Sequence, residues 1–171
     1  MNTVTTWRPW LGLVLRLYIG YQWVQAGFEK LSQPSAWLSS DAAIKGFMAH
    51  AATLAVGAHP SVTSWYAWLL QHLFIPLAPL MSYLVAFGET LVGIALILGL
   101  WTRLSLWLGS VMNLNYMLAG SSSTNPVMFT IALFLLWLGE DTDRFGVMGY
   151  LRTRHPGSPH SVTPSTHAHA S

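Results

Sequence analysis

The sequence predicts an all-α protein dissolved in lipid: an integral membrane four-helix bundle with a long outer loop carrying short interfacial helices. Three observations lead there. Of 171 residues, 53% are apolar and 8% charged, against about 25% charged in a typical soluble domain. Four apolar segments, 11–28, 80–100, 104–119 and 126–139, approach the ~20 residues needed to cross a ~30 Å hydrocarbon layer. The arginines that flank those segments fall on one side if each segment crosses once.

The first segment contains Arg16 and has no small-residue cleavage site after it, so it reads as a retained helix rather than a secretory signal. Residues 29–79 form the outer loop. Within it, Asp41 to Val56 places Ile44, Phe47, Met48, Ala51 and Leu54 on one helical face, and Ser61 to Leu73 is rich in aromatics. Both stretches are expected to lie on the membrane surface or to cap the bundle. The second and third spans are joined by a tight turn at Arg103. The fourth is short, so it either draws residues 120–125 into the protein interior or thins the bilayer locally. Asn125-Pro126 reads as its start, a cap followed by a first-turn proline. Residues 1–150 thus form the transmembrane domain. Residues 151–171, ending in Pro, Ser, Thr and His without a core-forming pattern, are expected to be a disordered cytoplasmic tail.

Arg8, Arg103, Arg144, Arg152 and Arg154 share one side and predict a multi-pass protein of the plasma membrane with both termini in the cytoplasm. Tryptophans mark two belts: Trp7, Trp10, Trp101, Trp107 and Trp137 inside, Trp37, Trp65 and Trp68 outside. The bases, 8 Lys plus Arg against 6 Asp plus Glu, are scattered, so no nucleic-acid surface is expected. The absence of cysteine excludes thiolate nucleophiles, disulfide relay and cysteine-held iron–sulfur clusters on this chain.

Ionisable groups in hydrocarbon cost roughly 2.5–3.5 kcal/mol each on insertion scales, so Arg16 and Glu89 demand a partner or a cavity. At ~1.5 Å per residue Glu89 lies near mid-membrane, and Gln22, Asn113 and Thr130 on the other spans reach a similar depth. Arg16, Gly20, Trp23, Gly27 and Lys30 recur on one helical face, with Tyr18, Gln22, Gln25 and Glu29 beside it. Ser105, Gly109 and Asn113 step by four on the third span. Glycines beside polar groups signal close helix contact, so these faces should point inward. Interhelical hydrogen bonding that only fixes the bundle is one reading; a binding or proton-handling layer is the other. Arg16 is too shallow to meet Glu89 directly, which leaves room for a ligand or water between them. The histidines lie in the outer loop and the tail, so neither haem nor a bound metal is expected. His59-Pro60-Ser61 ahead of Trp65-Tyr66 reads either as a helix start with an interfacial belt or as an outer binding lid.

Arg16, Gly20, Gly27 and Glu29-Lys30-Leu31, then His59-Pro60-Ser61 with Trp65-Tyr66, then Gly88-Glu89 and Leu98 to Arg103, then Asn113-Leu114-Asn115-Tyr116 and Asn125-Pro126 together resemble the DoxX/DoxD family over about residues 10–150. The second half resembles in particular the DoxD branch, the large membrane subunit of thiosulfate:quinone oxidoreductase. The resemblance implies a membrane subunit of a quinone-linked oxidoreductase, with quinone as cofactor and a small partner subunit beside the surrounding lipid. On that reading Glu89 and Arg16 are the catalytic candidates. Gln22, Lys30, His59, Asn113, Asn115, Tyr116 and Asn125 are the candidates for holding substrate or quinone. A homo-oligomer is compatible with the sequence. The competing reading is a noncatalytic scaffold or assembly factor; a solute pathway is disfavoured by the lack of an internal repeat or paired broken helices.

Overall fold

A computed structural model describes residues 7–154, and it is all-helical. In chain order the elements are α1 (Trp7–Leu31), α2 (Pro34–Trp37), α3 (Ala42–Thr53), α4 (Ser64–Leu69), α5 (Ala78–Leu98), α6 (Thr102–Leu118), α7 (Asn125–Leu138) and α8 (Val147–Arg154). A π-helical turn, Leu70–Phe74, extends α4, and a 3-10 turn, Gly139–Thr142, follows α7. The four apolar segments of the sequence fall in α1, α5, α6 and α7. Of these, α5 alone is both long and apolar enough to cross a membrane by length and composition. The 25-residue α1 carries Arg8, Arg16, Glu29 and Lys30, while α6 and α7 have 17 and 14 residues.

The long helices pack as neighbours in a ring: α1 on α5, α5 on α6, α6 on α7 and α7 on α1. The α1–α5 seam is set by glycine. A Cβ on Gly93 would stand 2.6 Å from the Val24 nitrogen and 2.7 Å from the Gly20 carbonyl oxygen, so the two backbones meet with nothing between them. Leucine, isoleucine and tryptophan fill the ring, with Ile19, Trp23, Leu96, Leu106 and Leu135 buried along its axis. A second cluster, built from Ile44, Met48, Ala51, Val62, Tyr66 and Leu70 with Ala78 and Ala119, seats α3 and α4 over the far ends of α5 and α6. The outer loop is therefore a cap, and the buried face of α3 is the one its periodicity indicates.

Helix ends follow local chemistry. Gly99 stops α5 in the left-handed region at φ 69°, and the Leu100 N–H returns to the Ala95 carbonyl at 2.8 Å. Pro126 opens α7 as expected, but Asn125 already belongs to the helix, and its side-chain amide donates back to the Ser121 carbonyl at 3.1 Å instead of capping. At the other end α8 runs through Arg154, so residues 151–154 of the expected tail are helical; residues 155–171 lie outside the described residues.

Candidate functional site

Where α1, α5 and α6 meet under the cap, a cleft of about 560 Å³ opens, walled by α1, α2, α3 and the residues leading into α7. Its floor is Glu89, whose side chain is 1% exposed. Glu89 is not left unpartnered: the Lys30 ammonium donates to Oε2 at 2.6 Å and the Tyr116 hydroxyl donates to Oε1. Lys30 also donates to the Ala26 carbonyl at 3.2 Å and stands 5.2 Å from the centre of the Trp37 ring. The ammonium is thus held by a carboxylate, a carbonyl and an aromatic face, all reached along one aliphatic stem. A carboxylate and an ammonium held this close form a paired charge, which is how ionisable groups persist when buried from water.

The cleft also gathers Gln22, Gln25, Glu29 and Asn125, with Ser121, Ser123 and Thr124 at the mouth. Gln25 donates to Glu29 at 3.3 Å and Gln22 to the Tyr18 hydroxyl at 3.3 Å, contacts along the polar face of α1. The floor and much of the wall are therefore polar, while Trp23, Phe47, Ile44 and Met128 give the apolar flanks. A concave site in which several polar groups converge beside apolar side chains suits a small molecule that carries both kinds of surface.

Of the residues proposed from sequence, Glu89, Lys30, Gln22, Tyr116 and Asn125 converge on this cleft. Arg16 does not. It is fully buried in the first half of α1, donating to the Thr142 carbonyl at 3.1 Å and the Phe145 carbonyl at 2.9 Å. Its guanidinium packs against Gly99 and Gly146, beside buried Asp143. Arg16 and Glu89 are thus separate features, and Arg16 does not line the Glu89 cleft. Asn115 faces away from the cleft: its side-chain oxygen and main-chain carbonyl both lie 3.1 Å from the Tyr66 hydroxyl, while its amide donates to Val111 at 2.7 Å. Burial pushes the Tyr66 phenol up to about 12, so it remains a donor at physiological pH. Asn113 is buried on α6 one turn from Gly109 but is not on the cleft wall, and its amide has no protein partner among the described residues. His59 is exposed in the loop before α4. Thr130 points outward and bonds the Pro126 carbonyl, so depth alone misplaced it in the polar layer.

Several cleft residues escaped sequence reasoning, Trp37 and Phe47 the most telling. Trp37 reads as part of an aromatic belt, yet α2 folds it back over Lys30; Phe47 reads as plain core, yet it lines the cleft and meets Tyr116 edge-on at 6.1 Å. Both depend on how the outer loop folds back, which no helical period encodes. Among the described residues no three His, Asp or Glu side chains gather as a metal-ligand set.

Comparison with known proteins gives one result on each count. The DoxX family model matches residues 11–121, more than half of the chain and the stretch that holds Lys30, Glu89 and Tyr116. No curated protein and no solved structure matches the chain. The chain belongs to the DoxX family, a family of membrane-associated proteins.

Proposed function

We propose that this protein is a multi-pass membrane subunit of a quinone-linked oxidoreductase, of the thiosulfate:quinone type that its second half resembles. The quinone head group would occupy the Glu89 cleft. The observation that carries this reading is the buried Lys30–Glu89–Tyr116 linkage on the floor of an open cleft. A scaffold helix pair needs hydrogen bonds but gains nothing from presenting them to a cavity.

The cleft fits such a ring. Lys30 keeps one N–H beyond those given to Glu89 and Ala26, a donor of the kind quinone oxygens accept, and Trp23, Phe47 and Met128 offer apolar faces for the ring. Bound there, a quinone would supply the two-electron acceptor, its electrons coming from a donor on a partner subunit. The residues of this chain would do the rest. Lys30 orients the head, and Glu89, a carboxylate that accepts from both Lys30 and Tyr116, is the base able to take up a proton from either. Arg16 has no part in this step; it is a structural clamp.

We place the chain in the membrane with α1, α5, α6 and α7 as its spans. The end carrying Arg8, Arg103, Arg144 and Arg152 faces the cytoplasm, and the cleft opens on the other side. α6 and α7 are short for a ~30 Å core, which local thinning of the bilayer accommodates.

The test is extraction of the detergent-purified protein for bound quinone, comparing wild type with Glu89→Gln and Tyr116→Phe at equal helicity. Stoichiometric quinone in wild type, lost in Glu89→Gln and reduced in Tyr116→Phe, is the expected result. A noncatalytic scaffold is the second reading, favoured by the mutual neutralisation of Lys30 and Glu89, a closed pair of the sort that also fixes helices. Absence of quinone from all three proteins would make the scaffold reading the better one.

A further inference from the structure

Beside the Glu89 cleft lies a second cavity, of about 300 Å³, between α5, α6 and the cap. Leu70, Phe74, Met81, Val85, Val111 and Met112 are among the residues of its wall. Its polar members are already engaged elsewhere: Tyr66 bonds Asn115, Asn115 bonds Val111 and Tyr116 bonds Glu89. What remains facing the cavity is hydrocarbon, thioether and ring. It opens at the α5–α6 seam, where Leu84 and Val111 are exposed.

The two cavities have Ile44, Phe47 and Tyr116 in common. Tyr116 therefore presents its hydroxyl to the polar floor on one side and its ring to the apolar cavity on the other. The open mouth of the Glu89 cleft is rimmed by Gln25, Glu29, Ser121, Ser123 and Thr124. A hydrocarbon chain leaving by that mouth would meet polar groups, whereas the route past Ile44 and Phe47 is apolar throughout.

We propose that the second cavity is the tail subsite of the ligand whose head occupies the Glu89 cleft. The ligand is then a long-chain amphiphile, a quinone with a hydrocarbon substituent that passes Tyr116 and leaves to lipid between α5 and α6. This rests on reading the Glu89 cleft as a quinone site. Because lipid is itself as apolar as the cavity wall, the tail gains little from transfer alone. The subsite acts by shape: it fixes the direction in which the head must enter, and filling it forces a tailed ligand to clash.

The experiment compares two benzoquinones with the same ring, one carrying a decyl chain and the other a methyl group in its place. Their equilibrium binding is measured to the full-length protein in one detergent, for wild type, Val85→Trp and Met112→Trp. The two plugs enter the same cavity from α5 and α6, so misfolding of one leaves the other to decide. Comparing each ligand across variants removes its partition into micelles. Each plug should weaken the decyl quinone on the order of tenfold, the effect of about 1.4 kcal/mol of overpacking, and leave the methyl quinone within about twofold. If both quinones bind and neither plug discriminates between them, the tail subsite is overturned and the Glu89 cleft reading stands. If neither quinone binds the wild type, the reading of the cleft itself fails and the tail subsite with it.

Discussion

At Lys30 and Glu89 the two partners are not equivalent. Glu89 is 1% exposed and Lys30 18%, so the lysine can swing its head toward the polar mouth and the carboxylate has nowhere to go. Lys30→Met should therefore strand a buried charge and cost about 3 kcal/mol, whereas Glu89→Gln keeps a hydrogen-bonding group for Tyr116 and should cost less. In detergent this should read as a drop in melting temperature of roughly 5–10 °C for Lys30→Met. The double variant Lys30→Met/Glu89→Gln should recover most of that loss. Equal destabilisation by the two single variants, with no recovery in the double, would show that the pair does not act as a unit.

Among the elements, the connection after α7 gathers around one buried side chain, Arg16. Arg16 reaches from α1 to the Thr142 and Phe145 carbonyls, the Met148 N–H bonds the Gly99 carbonyl at 3.2 Å, and Trp10 lies 4.5 Å from Phe145 ring to ring. Arg8 meets Asp141 at 3.3 Å on the surface of the same junction. Arg16→Met should free residues 139–154 while leaving the cleft untouched. The expected outcome is rapid proteolytic nicking within 139–154 and unchanged quinone retention. Loss of quinone from an Arg16→Met protein whose nicking rate matches wild type would return Arg16 to the chemistry. Sequence showed Arg16 to be buried and in need of partners, but those partners are main-chain carbonyls 126 and 129 residues away, which carry no residue signature. The same limit applies to Lys30 and Glu89. Each helical face was legible from its spacing, yet their meeting across 59 residues depends on the rotation and register of α1 against α5. Thr130 shows the converse: its depth was legible, but the rotation of α7 turns it outward.

For the whole molecule, the placement of the four longest helices along the chain was legible from four apolar runs, because a long run of apolar residues has few alternatives to a buried helix. The cap was only half legible. The apolar face of α3 showed in its period, but the return of α2 over Lys30 did not, since a single turn of helix has no period to read. The proposed orientation is testable because the chain has no cysteine of its own. Cysteines placed singly at Arg103 and at Ser39 should react with an impermeant maleimide from opposite faces of sealed cells or inverted vesicles, Ser39→Cys from outside and Arg103→Cys from the cytoplasm. Labelling of both from one face would refute the arrangement of spans proposed above.

The glycine contact between α1 and α5 makes the bundle mechanically unequal. With Gly20 against Gly93 and Gly27 against Thr90, the backbones come into contact, and the side chains at the seam, Val24, Thr90 and Ile97, are β-branched and have little rotamer freedom to let the helices slide. That pair carries Lys30 and Glu89 and behaves as a fixed jaw. α6 meets α5 across an open seam instead, and it carries Tyr116. Widening of that seam therefore falls to α6, so the motion that opens it draws the tyrosine hydroxyl away from the carboxylate.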